Sequence, residues 1–286
     1  VSSHFADAWR RNGGTCRETL HPWAKWYRAG LGGTLLSGDF GRSADSCVAL
    51  YTTISEDPDG HEAAGFAQAA RKFRPTLLAV DYPRGANVSN LISELRTDGW
   101  VLDADTVCAT ECGDVTARRR WVLLGTRTSD DAVACWWTTE HLRRHARAMG
   151  PLLSKPGKVP AKHWLSTDPS SAVFQLDKSA GGERNPLYPR ATGRVGKRLV
   201  YDVKHPCPTL REGLLVLQPG GPGQSVRTLT EEEYWKLSGG DSRTWAALLE
   251  QGVKPEQAVR AAKRAGPPGL PTEIANQMCT THAVRA

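Results

Sequence analysis

Residues 75–108 read PTLLAVDYPRGANVSNLISELRTDGWVLDADTVC, and this stretch decides the fold. Pro75–Tyr82 is an apolar run of strand length. Asn87–Thr97 follows, with Val88, Leu91, Ile92 and Leu95 spaced for one face of a helix. Trp100–Val107 is a second strand. The pattern repeats on both sides. Upstream lie two buried strands, Thr34–Phe40 (TLLSGDF) and Cys47–Ile54 (CVALYTTI), then an Ala-rich helix over His61–Phe73. Downstream, Trp121–Arg127 (WVLLGTR) completes the strand set. Near the start, Ser2 or Ser3 caps a helix carrying Phe5, Ala8 and Trp9, stopped by Gly13-Gly14. A short helix with Pro22 in its first turn carries Trp23, Trp26 and Tyr27. Alternating strands and helices predict an α/β, doubly wound, mostly parallel sheet with helices on both faces. Ligands of such sheets sit beyond the carboxyl ends of the strands.

The character changes after residue 127. Gly, Pro, Ser and Lys become frequent and helical periodicity weakens. One helix is expected at Thr138–Met149, then short strands such as Ser171–Leu176 and Arg198–Val203. Helices return at Glu231–Leu237, Ser242–Gln251, Pro255–Arg264 and Pro271–Thr280. The expected organisation is therefore an α/β domain over 1–127, a smaller basic, β-rich irregular domain over 128–226, and C-terminal helices over 227–286 that complete the first.

Charge follows the same division. The 286-residue chain carries a formal net charge of +7. Residues 141–211 hold 14 Lys or Arg against 4 Asp or Glu, so the remainder is mildly acidic. A polyanion is the natural partner of such a block, because each neutralised phosphate releases counterions. The plainer reading is a solvated surface that keeps the chain soluble. Arg143, Arg144 and Arg147, on the helix face with His141 and His145, and Lys197 and Arg198 are the candidate phosphate contacts. Seven cysteines, an odd number with no C-x-x-C pair, argue against a disulfide framework and a paired zinc site, and Cys108 and Cys112 have no matching pair downstream. No apolar run is long enough to cross a membrane. These features point to an intracellular setting. The chain opens on Val1 without an initiator Met, as a processed or trimmed chain would.

Three stretches in order resemble the cytosine-5 DNA methyltransferase family. The first is Gly99-Trp100, a strand, Glu111-Cys112-Gly113-Asp114, then Thr116-Ala117-Arg118-Arg119-Arg120-Trp121 leading into an apolar strand. Arg118 and Arg120 fall on the two arginines of the family's Gln-x-Arg-x-Arg, with Thr116 in place of Gln. The second is Arg227-Thr228-Leu229-Thr230-Glu231-Glu232-Glu233, like the Arg-x-Leu-Thr-x-x-Glu that follows the recognition domain. The third is Lys263-Arg264-Ala265-Gly266 before the closing helix. His205-Pro206-Cys207-Pro208-Thr209-Leu210 is similar to the family's proline-threonine stretch. The resemblance implies a class I S-adenosylmethionine-dependent fold with a target-recognition domain, and nucleus or nucleoid as its setting. It places Trp23 against the adenine of S-adenosylmethionine, Asp39 near the adenine amine, Asp81 with Arg118 or Arg120 on the flipped cytosine, and Arg227 on DNA; in a degenerate member the three arginines read instead as surface or loop-anchoring charges.

The chain also departs from the family. Carbon 5 of cytosine becomes nucleophilic only after a thiolate adds to C6. The family supplies that thiolate from Pro-Cys in the loop after its fourth strand, and here the matching loop is Ser55-Glu56-Asp57-Pro58-Asp59-Gly60. Cys47 opens the preceding strand and reads as a small core residue. Asp81 stands where the family has Glu, one methylene longer, and reads equally as a turn acid before Pro83. The glycine loop that cradles the cofactor is removed or degenerate at Val1-Ser2-Ser3-His4-Phe5, Pro22 replaces the acidic ribose ligand, and Pro267 stands at the expected Asn. Three readings remain open: a DNA-binding pseudoenzyme with impaired or lost methyl transfer, an active enzyme completed by upstream sequence or a partner chain, and a non-enzymatic nucleic-acid-binding scaffold.

Overall fold

The computed structural model describes residues 2–12, 15–19, 35–39, 49–54, 60–83, 88–127, 137–142, 147–165, 174–176, 189–211, 213–221, 225–264 and 268–285. The chain divides into two compact units. The first comprises Val1–Cys108, Arg119–Arg143 and Gly269–Ala286, and the second Ala109–Arg118 and Arg144–Pro268.

The first unit holds helix α1 (Ser2–Arg11), β1 (Thr15–Thr19), β2 (Leu35–Asp39), β3 (Ala49–Thr53), α2 (His61–Phe73), β4 (Leu77–Tyr82), α3 (Ser89–Thr97), β5 (Val101–Cys108) and β6 (Arg119–Thr126). Its six strands run in the order β1-β2-β3-β4-β6-β5. All six residues of β4 are buried, as a central strand covered on both faces requires. Leu50, Leu78, Val80 and Leu123 of the sheet pack with Phe66, Ala67 and Ala70 of α2 and with Leu91 and Leu95 of α3. The small side chains of α2 let that helix lie close to the sheet. Gly125 is needed in β6 because a Cβ there would lie 2.8 Å from Leu78 Cδ1.

The α/β class stands, but the sheet is less parallel than expected. Among the described strands of this sheet only β3 and β4 pair in parallel, joined through the α2 crossover. β6 runs antiparallel to both β4 and β5, because β5 reaches it through a short connection with no long helix. β1–β2 and β2–β3 are antiparallel too.

The second unit is built on the sheet β11-β10-β9-β8-β7, with β7 (Phe174–Leu176), β8 (Ala191–Val195), β9 (Arg198–Asp202), β10 (Leu215–Leu217) and β11 (Val226–Thr228). Helices α4 (Glu231–Leu237), α5 (Ser242–Glu250) and α6 (Pro255–Arg264) follow. These three helices lie in this unit rather than completing the first, because Tyr234, Leu237 and Val259 share its core with Tyr201, Cys207, Leu214 and Val216. Only α7 (Gly269–Arg285) returns to the first unit, packed on α1. The helix expected at Thr138–Met149 is also corrected. Its described part is a single 3-10 turn over Thr139–Leu142, and a second turn begins at Gly150. Asp103 caps the first of these turns, its carboxylate accepting from both the backbone N–H and the hydroxyl of Thr139.

Candidate functional site

At the carboxyl end of β4 the sequence places Asp81, and the parallel ladder sets Thr53 of β3 directly beside it. Period-two alternation puts Tyr51 on the same face of β3 as Thr53. β6, running the other way, brings Arg120 to this same end of the sheet. These four side chains form one network. Asp81 is 2% exposed and its carboxylate accepts from the Tyr51 hydroxyl at 2.5 Å, the Thr53 hydroxyl at 2.7 Å and Arg120 Nε at 2.8 Å. Arg120 Nη2 lies 2.5 Å from Asp81 Oδ1 and donates to Thr53 Oγ1 and the Ile54 carbonyl. The Asp81 carbonyl in turn accepts from Ile54 N–H at 2.8 Å.

Burial, the Asp81 charge and the hydrogen bond to Asp81 together push the Tyr51 phenol well above its ordinary value, so it stays a donor. A carboxylate offers about four lone-pair sites. Asp81 spends most of them inside the protein. The arrangement is that of a buried, paired acid and base held by two hydroxyls, at the edge where α/β sheets take their ligands.

The structure thus brings together Asp81 and Arg120 of the expected catalytic set. Arg118 is half-buried in the short piece Ala109–Arg118, which belongs to the other unit. Tyr51 and Thr53 were missed by sequence reasoning, although the i, i+2 spacing in CVALYTTI put both on one face. Asp39 ends β2 opposite Thr15, and Trp23 lies outside the described residues. Ser2–Arg11, where the resemblance sets the degenerate glycine loop, is helix, and Gly13-Gly14 lie outside the described residues.

Of the expected nucleic-acid contacts, Arg147, Lys197 and Arg198 are exposed, and Arg198 Nη2 donates to the Gly213 carbonyl. Arg143 and Arg144 lie outside the described residues. Arg227 is a correction. It is 0% exposed and forms a bidentate pair with Glu233, both bonds 2.8 Å. Its Nε donates to Gln218 Oε1 at 2.5 Å and its Nη1 to the Thr228 carbonyl, while its guanidinium lies 5.7 Å from the Trp164 ring centre. No donor is left facing solvent, so the Arg-x-Leu-Thr-x-x-Glu motif is scaffold here. Glu233 also closes a capping box with Thr230 at the start of α4.

No family model and no curated protein matches the sequence. Solved structures do match in shape. The Dnmt2 methyltransferase of S. pombe superposes with a TM-score of 0.50 at 10% identity, covering 83% of this chain and 79% of that one. The Entamoeba histolytica methyltransferase EhMeth gives 0.49 at 10% identity, over 81% of this chain and 77% of that one. The chain has the α/β fold of the class I methyltransferases.

Proposed function

We propose that this is a cytosine-5 DNA methyltransferase-like protein that binds DNA and has impaired or lost methyl transfer on its own. The closed network around Asp81 is the observation that carries this reading. Asp81 stands where the resemblance sets the acid that holds the cytosine edge, yet Tyr51, Thr53 and Arg120 already occupy it. A base seeking that carboxylate must displace hydrogen bonds to a charged group, each worth about 1.5–3 kcal/mol. The loop after β3, residues 55–60, contains no Cys in sequence, so no thiolate is at hand to activate C6. The basic second unit supports DNA as partner.

S-adenosylmethionine belongs to the alternative reading, an enzyme completed by sequence or a chain that brings the glycine cradle and the thiolate. Two measurements separate the readings. Duplex DNA carrying 5-fluorocytosine, incubated with the chain and S-adenosylmethionine, forms no covalent adduct on a denaturing gel. An adduct overturns the proposal, since only a working nucleophile is trapped. Calorimetric titration with S-adenosylhomocysteine gives no binding heat, whereas micromolar binding favours the active reading.

A further inference from the structure

Residues 147–165 contain no carboxylate and carry Lys155, Lys158 and Lys162, all exposed. Successive 3-10 turns over Gly150–Leu152, Pro156–Lys158 and Ala161–His163 shape the segment. Pro151, Pro156 and Pro160 fix φ at or beside the start of each turn. Lys158 N–H closes the middle turn on the Lys155 carbonyl at 2.8 Å, so these two lysines stand one turn apart.

The other side of the segment is fastened to its own unit. Val159 and His163 are buried. Ser154 N–H donates to Glu233 Oε1 at 2.7 Å, and Gln218 Nε2 donates to the Ser154 carbonyl at 2.9 Å. Leu165 N–H donates to the Val226 carbonyl at 3.0 Å. The Trp164 indole packs so close to Gly221 that a Cβ there would fall 2.0 Å from the ring. The nearby carboxylates are engaged elsewhere. Glu233 is committed to Arg227, Glu232 to Lys236, and Glu231 faces His163. None of the three lysines pairs with a carboxylate among the described residues.

Like charges held close on a stiff backbone repel unless an anion lies between them. We infer that the segment 155–162 is a phosphate-binding strap for a nucleic-acid backbone, held in place by the buried Arg227–Glu233 pair. This rests on the DNA-binding reading above and assigns it to residues that the motifs do not mark. The contact is to phosphate and carries no base specificity by itself.

The test is a titration of a labelled, mixed-sequence DNA duplex with the full chain over a range of salt. The variant Lys155→Ala/Lys158→Ala/Lys162→Ala lowers the log–log salt slope by about 0.9 for each lysine and weakens binding about tenfold or more at low salt. The control Arg243→Ala/Lys254→Ala/Arg260→Ala removes the same charge from other exposed positions of this unit and keeps the wild-type slope. An unchanged slope in the first variant, or an equal fall in both, overturns the strap while leaving DNA binding intact. If the wild-type chain does not bind duplex at all, both this inference and the DNA-binding reading fall. Matching far-UV spectra and melting points establish that the variants are folded.

Discussion

Glu233→Gln tests how the buried ion pair holds the second unit. The two carboxylate oxygens of Glu233 each face two donors. Oε1 takes Arg227 Nη2 and Ser154 N–H, and Oε2 takes Arg227 Nη1 and Thr230 N–H. An amide has one acceptor and one donor end. Whichever way it turns, two donors lose their acceptor and the Arg227 charge stays buried without its partner. Breaking a buried pair from one side costs about 3–5 kcal/mol. For a unit of this size that is a fall of about 10–15 °C in melting temperature. The exposed Arg71–Glu94 pair, with side chains 46% and 38% exposed, supplies the contrast. Glu94→Gln costs at most about 1 kcal/mol. Burial pushes the Glu233 pKa up, but the hydrogen bonds from Arg227, Thr230 and Ser154 and the Arg227 charge outweigh it, and the net position is below the ordinary value. Its stabilising contribution is therefore full above about pH 4.3 and drains away as pH falls through the folded-state value. The gap between wild type and Glu233→Gln closes over that acid range. The assay is thermal unfolding followed by tryptophan fluorescence at neutral and acid pH. A melting temperature within about 3 °C of wild type at neutral pH, where about 1 kcal/mol would be lost, refutes the reasoning.

Three further outcomes follow from the same structure. Tyr51→Phe removes the hydroxyl that donates to Asp81 and costs about 1.5–3 kcal/mol, read from the urea midpoint at constant m-value; an unchanged midpoint contradicts the closed network. Gly221→Ala drives a methyl group into the Trp164 ring, costs about 1–3 kcal/mol and changes the native tryptophan emission, whereas a silent variant shows that the turn does not hold the indole. Burial raises the Cys207 thiol far above its ordinary value and the Cys279 thiol to about 12, so peptide mapping after alkylation of native protein near pH 8 finds both unmodified, and finds both modified in denaturant.

The sequence disclosed the first unit where burial leaves a periodic trace. His61–Phe73 matches its expected bounds, and β4, β5 and β6 fall within two residues of theirs, because continuous apolar runs and an Ala-rich face are local signals. Strand direction was less legible. Whether Arg119–Thr126 runs with or against Leu77–Tyr82 depends on connections that hydropathy does not record. Asp81 and Arg120 were marked one by one through their motif positions, but neither their pairing with each other nor the choice of Arg120 over Arg118 was legible. Tyr51 and Thr53 read as ordinary strand residues until the parallel register set them beside Asp81. Arg227 was legible only as a choice between DNA contact and loop anchor, because a motif arginine looks the same in sequence whether it meets a phosphate or a carboxylate six residues on. Trp164, Gln218 and Ser154, which complete its surroundings, lie too far away in the chain for any spacing rule.

The return of Gly269–Arg285 to the first unit has a consequence for how the chain is made. Trp9 and Ala8 of α1 are buried in a unit that α7 completes, and α1 and α7 stand at opposite ends of the sequence. A ribosome delivers the chain N-terminus first, so the second unit emerges whole while the first still waits for its last piece. Throughout that interval α1 has no α7 to cover it.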